Sequence, residues 1–298
     1  MPTPSFGINR ALGGRGLSSG RIHLYWGQKA SGKSTATFQQ IATAQRDGKK
    51  CAYIDAEKAF TPEWAEHNGV DIDELAYIRA NSAEEILELL LPDLESENFD
   101  LVVVDSLQSI NFESYFKPDA NPMGSYARSS KMFTHKVLNA LGTQTHIILI
   151  SHAAMDLSGH YPVMKAAVGN AVDHWASTSI KFQKLGGKDA IREDGAFKVK
   201  WKIEKSKQSV YPVEGFYYFN PKTAKIDAVQ EIVAAGIEEG ILQKSGAWFY
   251  LDKGGENERT FHGENALVNA IREDKDFMRI LENTVMSIPV LPLEDADD

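Results

Sequence analysis

The run Gly27-Gln28-Lys29-Ala30-Ser31-Gly32-Lys33-Ser34 fits G-x-x-x-x-G-K-[ST], a pattern whose backbone N–H groups turn inward to cradle phosphates. In such a loop the lysine, Lys33, reaches the β- and γ-phosphates, and the hydroxyl of Ser34 ligates Mg²⁺. Arg21-Ile22-His23-Leu24-Tyr25-Trp26 reads as a buried strand entering the loop, and Thr35 to Arg46 as a helix leaving it. The dipole at the start of that helix favours an anion. A glycine-rich turn that matched by chance would have no reason to sit between such a strand and such a helix. The spacing therefore points to binding of a nucleoside triphosphate with Mg²⁺ by Gly27 through Thr35.

Four further residues stand where they could complete a hydrolytic site. Asp105 ends the aliphatic run Leu101-Val102-Val103-Val104, which puts a carboxylate near the metal shell in the manner of a Walker B acid. A strand-terminal Asp capping the next turn is the plainer alternative, and the phosphate loop tips the reading towards metal. Glu57, two residues past a strand ending at Asp55, can stand beside the γ-phosphate and orient a water; a solvated loop glutamate fits the spacing equally well. His152 lies just past another strand, where a polar side chain can sense the γ-phosphate, yet taken alone it fits a capping or surface histidine better. Trp64 could stack on a base, although an aromatic on so short a helix is more often core.

These residues need an alternating βαβ series to hold them, and the chain supplies one. Cys51-Ala52-Tyr53-Ile54-Asp55 reads as a short buried strand, Pro62 to Asn68 as a helix with proline in its first turn, and Ala76-Tyr77-Ile78 as another strand. Ser82-Ala83-Glu84-Glu85 opens a helix with an acidic first turn, and Ile86, Leu87, Leu89, Leu90 and Leu94 give it an apolar face. Leu101–Asp105 and His146–Ser151 are continuous aliphatic runs, as suits parallel strands buried on both faces. Beyond about residue 177 come closely spaced strands, Ser179 to Lys184, Phe197 to Glu204 and Val213 to Phe219, expected to extend the sheet antiparallel. A small helical segment follows from about residue 226, then the aromatic stretch Ala247-Trp248-Phe249-Tyr250, a helix near Ala266 to Arg272, and an acidic tail expected to be disordered.

Composition excludes several classes. The chain has 298 residues, of which 43% are hydrophobic and 24% charged, in keeping with a globular α/β protein of one large and one small domain. No run of 18 apolar residues and no signal-peptide core are present, so a cytoplasmic protein without membrane association is expected. The single cysteine, Cys51, rules out an internal disulfide and a cysteine-rich zinc site, and its strand context marks it as a small core residue. A net charge of −9 argues against a uniformly basic nucleic-acid surface but leaves room for basic loops.

The motifs recur in an order that resembles the RecA family of recombination ATPases from about Phe6 to about Val285. The string runs through Gly27 to Ser34, Gln45-Arg46-Asp47-Gly48-Lys49, Asp55-Ala56-Glu57, Gly69-Val70-Asp71-Ile72-Asp73 and Val103-Val104-Asp105-Ser106. It continues through Met123-Gly124, Ala127-Arg128, Gly169-Asn170-Ala171, Lys205-Ser206-Lys207 and Lys244-Ser245-Gly246-Ala247-Trp248. The resemblance implies an α/β RecA-like core over 1–225, a small C-terminal α+β domain over 226–287 and a tail over 288–298. It implies Glu57 as the catalytic glutamate, Asp105 as the Walker B acid, Trp64 at the adenine and His152 as a γ-phosphate sensor. Lys205 and Lys207 match paired lysines that reach a neighbour's ATP; without the resemblance they read as a solvated strand end.

The same resemblance implies DNA binding by two loops, at about 111–128 and 153–170. The first carries Tyr115, Phe116, Lys117, Met123, Gly124 and Arg128; the second carries Met155, His160, Tyr161, Met164, Lys165, Gly169 and Asn170. Cations mixed with aromatic and apolar groups suit phosphate contacts together with insertion against the bases of a single strand. Single- and double-stranded DNA, self-association into a filament with ATP between subunits, and single-strand-binding or mediator proteins are the implied partners. His152 and Glu204-Lys205-Ser206-Lys207 resemble the T-even phage branch, so a phage origin is expected. The family's N-terminal oligomerisation helix finds no match in the two dozen residues before the loop; a strand-like Pro4-Ser5-Phe6-Gly7 or core surfaces would have to serve. The expected activity is ATP-dependent pairing and strand exchange on single-stranded DNA. A core-only ATPase without strand exchange and a regulatory or helicase-type NTPase are the alternatives, the latter disfavoured by Met123, Arg128 and Gly169.

Overall fold

A computed structural model describes residues 1–112, 122–156, 161–168, 170–187, 190–256 and 258–292. The chain opens with a short helix, α1 (Phe6–Ala11), and then β1 (Arg21–Gly27), α2 (Lys33–Arg46), β2 (Cys51–Asp55), α3 (Pro62–His67), β3 (Leu75–Ile78), α4 (Ala83–Glu95) and β4 (Leu101–Asp105). A 3₁₀ turn (Leu107–Ser109) leads to α5 (Pro122–Ala140), β5 (His146–Asp156), β6 (Val163–Ala166), α6 (Asn170–Trp175), β7 (Thr178–Lys184), β8 (Phe197–Ser206), β9 (Val213–Asn220) and β10 (Lys225–Ile226). The main sheet runs β10-β9-β8-β7-β1-β5-β4-β2-β3, with β6 pairing β5 outside that path.

Every residue of β2 and β4 is buried, as is β1 after Arg21, which is why these segments read as unbroken apolar runs. The period-2 alternation of a strand sorts them between two cores. Tyr25, Tyr53 and Phe182 join Phe38 and Ile41 of α2 on one face; Leu24, Trp26 and Ile54 join Ile86 and Leu90 of α4 and Phe133 of α5 on the other. Each fully buried aliphatic of α4 contributes about 1.5–3 kcal/mol relative to exposure. Ser82 caps that helix, its hydroxyl accepting from the Glu85 N–H.

Three expectations are corrected here. β7 pairs β1 in parallel, and along the main sheet the antiparallel pairings begin only between β7 and β8, because the chain between β5 and β7 returns through β6 and α6 to the opposite end of the sheet. The Pro4–Gly7 segment is not strand-like: the Ser5 side chain accepts from the Ile8 N–H and starts α1. The buried Glu231 carboxylate also accepts from the Ser5 hydroxyl and from the N–H groups of Phe6 and Gly7, and burial pushes it up to about 7. Helix α5 has no counterpart in the sequence reading, since its inward stripe includes the buried Ser130 and Thr134 beside Phe133 and Val137. The Thr134 hydroxyl is satisfied by the Ser130 carbonyl at 2.8 Å, which makes that stripe compatible with burial.

The C-terminal region packs α7 (Ala228–Glu238), α8 (Glu264–Glu273) and α9 (Lys275–Ser287) with an antiparallel sheet of β11 (Leu242–Ser245), β12 (Trp248–Leu251) and β13 (Arg259–His262). Its core of Ile232, Leu242, Phe249, Leu267 and Leu281 also takes Phe6 from α1. Helix α9 was not anticipated, although Asp274 caps it by accepting from the Phe277 N–H at 2.9 Å. The acidic residues 293–298 lie outside the described residues.

Candidate functional site

The phosphate loop leaves β1 at the centre of the parallel sheet, where Gly27 is in register with His152 on β5 and Phe182 on β7. A Cβ at Gly27 would stand 2.2 Å from the Phe182 carbonyl oxygen, so only glycine lets the loop start there. Gly32 caps α2 at φ +97°, a conformation that glycine alone adopts without strain. Lys33 Nζ donates to the carbonyls of Gly27 (3.1 Å) and Gln28 (2.9 Å), which folds its charge over the loop. Burial lowers its pKa, and Asp105 and Glu57 oppose that shift. Ser31 Oγ is buried without a protein partner, the kind of polar atom that a bound phosphate satisfies. Gln28, Lys29 and Ala30 form the exposed crest, and Thr35 lies half-buried in the first turn of α2.

Asp105 sits at the end of β4, directly across from Ser34. Its Oδ2 accepts from the Ser34 hydroxyl and from the Tyr53 hydroxyl, each at 2.7 Å. Burial raises the pKa of Asp105, while these two hydrogen bonds oppose the rise. A hydroxyl and a carboxylate oxygen side by side are the hard ligands that Mg²⁺ takes. No cluster of three or more metal-ligating side chains exists among the described residues, so nucleotide phosphates and water would complete the shell. Tyr53 is a site residue that the sequence reading missed; the signal was a hydroxyl-bearing side chain in an otherwise aliphatic buried strand.

Glu57 is strapped to the end of β4. The N–H groups of Ala56 and Glu57 donate to the Asp105 carbonyl at 2.8 and 3.1 Å. Asp55 braces the turn by accepting from Ala59 N, Phe60 N and the Tyr77 hydroxyl. This leaves the Glu57 side chain 38% exposed, with Oε2 3.7 Å from His152 Nε2. The Ser106 hydroxyl approaches that same His152 nitrogen at 3.4 Å. Lys33, Ser34, Tyr53, Glu57, Asp105 and His152 thus line one cleft of about 200 Å³, with Trp64 at its margin. The Trp64 ring is part-buried against His67 and Phe219. A larger cavity of about 640 Å³ lies between α1, α7 and β9, but it holds none of these groups.

Lys205 and Lys207 are carried away from this cleft. On β8, Lys205 faces Ser179, which is in register with Leu24, three positions before Gly27, or about 10 Å down the strand. Lys205 Nζ donates to the carbonyls of Asp173 and His174 at the end of α6, and burial lowers its pKa. Lys207 is exposed. Within one chain neither lysine belongs to the phosphate site.

The described parts of the two segments expected to bind nucleic acid are helical or paired as strands. Helix α5 begins at Pro122, so Met123, Gly124 and Arg128 sit in its first turns, and Arg128 is exposed. Tyr115, Phe116 and Lys117 lie outside the described residues. The expected second loop is largely a two-stranded ribbon, because β5 continues to Asp156 and pairs Ala153–Asp156 with Val163–Ala166. Met155 (55%), Val163 (51%) and Tyr161 (82%) are exposed on it, and Lys165 pairs with Asp156 at 2.7 Å. His160 and Gly169 fall outside the described residues; Asn170 starts α6. No described helix is long and apolar enough to cross a membrane.

The model of the RecA N-terminal domain family matches residues 1–215. The RecA protein of Paracoccus denitrificans is 30% identical over 99% of this chain and 83% of its own length. That of Cereibacter sphaeroides is 30% identical over 92% and 82%, and that of Colwellia psychrerythraea 31% over 84% and 73%. With a phosphate loop, a carboxylate at the end of β4 and near full-length similarity to these proteins, the chain belongs to the RecA family.

Proposed function

We propose that this chain is a DNA-dependent ATPase that coats single-stranded DNA as a filament and promotes pairing and strand exchange with duplex DNA. The observation that carries this reading is the β1–β5 register. It sets Gly27 beside His152, at the root of a ribbon that presents exposed aromatic, apolar and cationic residues. One strand pair therefore joins a triphosphate cradle to a surface suited to single-stranded nucleic acid.

Mg-ATP would supply the scissile phosphoryl group. The amides of Gly27 to Ser34 and Lys33 hold the phosphates, Ser34 and Asp105 hold the cation, and Trp64 borders the base. Glu57, part-exposed at the mouth of the cleft, orients the attacking water. His152 senses the γ-phosphate beside Glu57. Lys205 and Lys207, remote from their own cleft, are suited to enter a neighbour's site and neutralise charge there, in the manner of an arginine finger. Because α1 is engaged by Glu231 within its own chain, neighbour contacts fall to other surfaces. Met123, Gly124, Arg128, His160, Tyr161, Lys165, Gly169 and Asn170 form the DNA contacts. Residues 1–225 act as the ATPase core, 226–287 as a small accessory domain and 288–298 as a tail; His152 and Glu204 to Lys207 support a phage-type reading, with work in a host cytoplasm alongside single-strand-binding or mediator proteins.

The test is ATP hydrolysis with and without single-stranded DNA, followed by joint-molecule formation with a homologous duplex. Stimulated hydrolysis with joint molecules is expected. Stimulation without joint molecules would favour a core-only ATPase, and no stimulation would defeat the DNA reading.

A further inference from the structure

Between the metal carboxylate and the ribbon lies a residue that none of these roles uses. The 3₁₀ turn Leu107–Ser109 begins two residues after Asp105 and immediately after Ser106, whose hydroxyl touches His152. From the centre of that turn, Gln108 spends its side-chain amide on three partners. Its Nε2 donates to the Ser151 hydroxyl (3.0 Å) and to the Ala167 carbonyl (2.7 Å), and its Oε1 accepts from the His152 N–H (2.9 Å). Ser151 and His152 lie on β5 where it meets the cleft, and Ala167 follows the returning strand β6. The Ala167 N–H in turn donates to the His152 carbonyl at 2.8 Å. On its other side the turn accepts, through the Leu107 carbonyl, from the Tyr126 hydroxyl of α5 at 3.1 Å.

We infer that Gln108 is a positioning residue that couples the phosphate site to the ribbon. An amide with two N–H groups and one oxygen used here can hold three partners in a single arrangement, and a displaced Asp105–Ser106 segment drags all three. The two strands that Gln108 grips are those that carry Met155 and Lys165, with Tyr161 just ahead of β6 at the far side of the ribbon. A change at the cation or at the γ-phosphate therefore reaches the ribbon root through side-chain hydrogen bonds, without any loop having to refold. This inference rests on the proposed reading that the ribbon binds single-stranded DNA and that ATP governs that binding.

The full chain and its Gln108→Met and Gln108→Glu variants separate the possibilities. Methionine keeps the length and removes all three hydrogen bonds; glutamate keeps the acceptor for His152 N–H and loses both donors. Three quantities are read: affinity for a fluorescent ATP analogue, affinity for oligothymidylate with Mg-ATPγS against Mg-ADP, and amide hydrogen exchange at 153–156 and 163–168 with and without Mg-ATPγS. In the unaltered chain, nucleotide slows ribbon exchange and raises DNA affinity. In both variants nucleotide affinity stays within about twofold, while the ATPγS-to-ADP ratio of DNA affinities falls at least fivefold and the nucleotide-induced protection of the ribbon disappears. A merely structural role would raise ribbon exchange equally in both nucleotide states and leave the ratio unchanged, and that result overturns the inference. So does a ribbon whose exchange is indifferent to nucleotide in the unaltered chain. If nucleotide protects the ribbon through Gln108 but DNA does not bind, the coupling stands and the DNA reading falls.

Discussion

β1 and β5 each carry histidines, and the two ends of this strand pair treat them in opposite ways. At the base, His23 and His146 stack with ring centroids 6.1 Å apart, buried beneath the sheet. Burial drives their pKa values down to about 3 and about 4, so both stay neutral at ordinary pH. Six positions further along β5, His152 emerges half-exposed beside Glu57 and Ser106. The same residue type on the same strand is structural at the amino end and available for chemistry at the carboxyl end. The carboxyl ends of parallel strands are where loops diverge and a ligand can enter, and here Gly27, Asp105, Glu57 and His152 all converge there.

The largest effects should come from breaking the carboxyl end. Lys33→Ala is expected to reduce ATP hydrolysis by about 10²–10³-fold or more, since it removes the principal cation facing the phosphates; a steady-state phosphate-release assay reads this. Glu57→Gln should keep nucleotide affinity and lower turnover by about 10²-fold. An unchanged rate in that variant would remove Glu57 from the water-orienting role.

The amino end gives a milder effect with a definite sign. His23 and His146 have folded-state pKa values below the ordinary 6.5, so the unfolded chain takes up protons first as pH falls. Their contribution is fully present above about pH 6.5 and is lost progressively towards pH 4, at up to about 1.4 kcal/mol per pH unit per histidine. Thermal melts between pH 7 and pH 4.5 should show this loss, and His146→Gln should flatten it. The smallest effect belongs to Tyr53→Phe, which deletes one of two hydroxyls that hold Asp105 Oδ2. A rise of about fivefold in the Mg²⁺ concentration for half-maximal hydrolysis is expected, with little change in melting temperature.

Which parts were readable from sequence follows the same division. The loop and Asp105 were legible because each obeys a spacing rule anchored to an aliphatic strand, whereas spacing left Glu57 open and only the family resemblance gave it a role. Their mutual distances were not, since the register of β1 with β5 and of β2 with β4 depends on tertiary packing. The supporting groups Tyr53 and Gln108 were missed because they carry no motif: one is a core aromatic with a hydroxyl, the other a polar residue in a one-turn helix. Helix α5 was hidden by Ser130 and Thr134 on its buried face, and the ribbon by polar and small residues that resemble a loop until Ala153–Asp156 is seen to pair with Val163–Ala166. Lys205 was placed correctly on a strand end, but only the antiparallel turn of β8 shows that it points away from its own cleft.

The most direct test is electron microscopy of the protein with single-stranded DNA and a non-hydrolysable ATP analogue. Continuous helical filaments that form with the analogue and dissolve in ADP are the expected result. Only monomers or closed rings under both conditions, with no DNA-stimulated ATP hydrolysis, would contradict the recombinase reading.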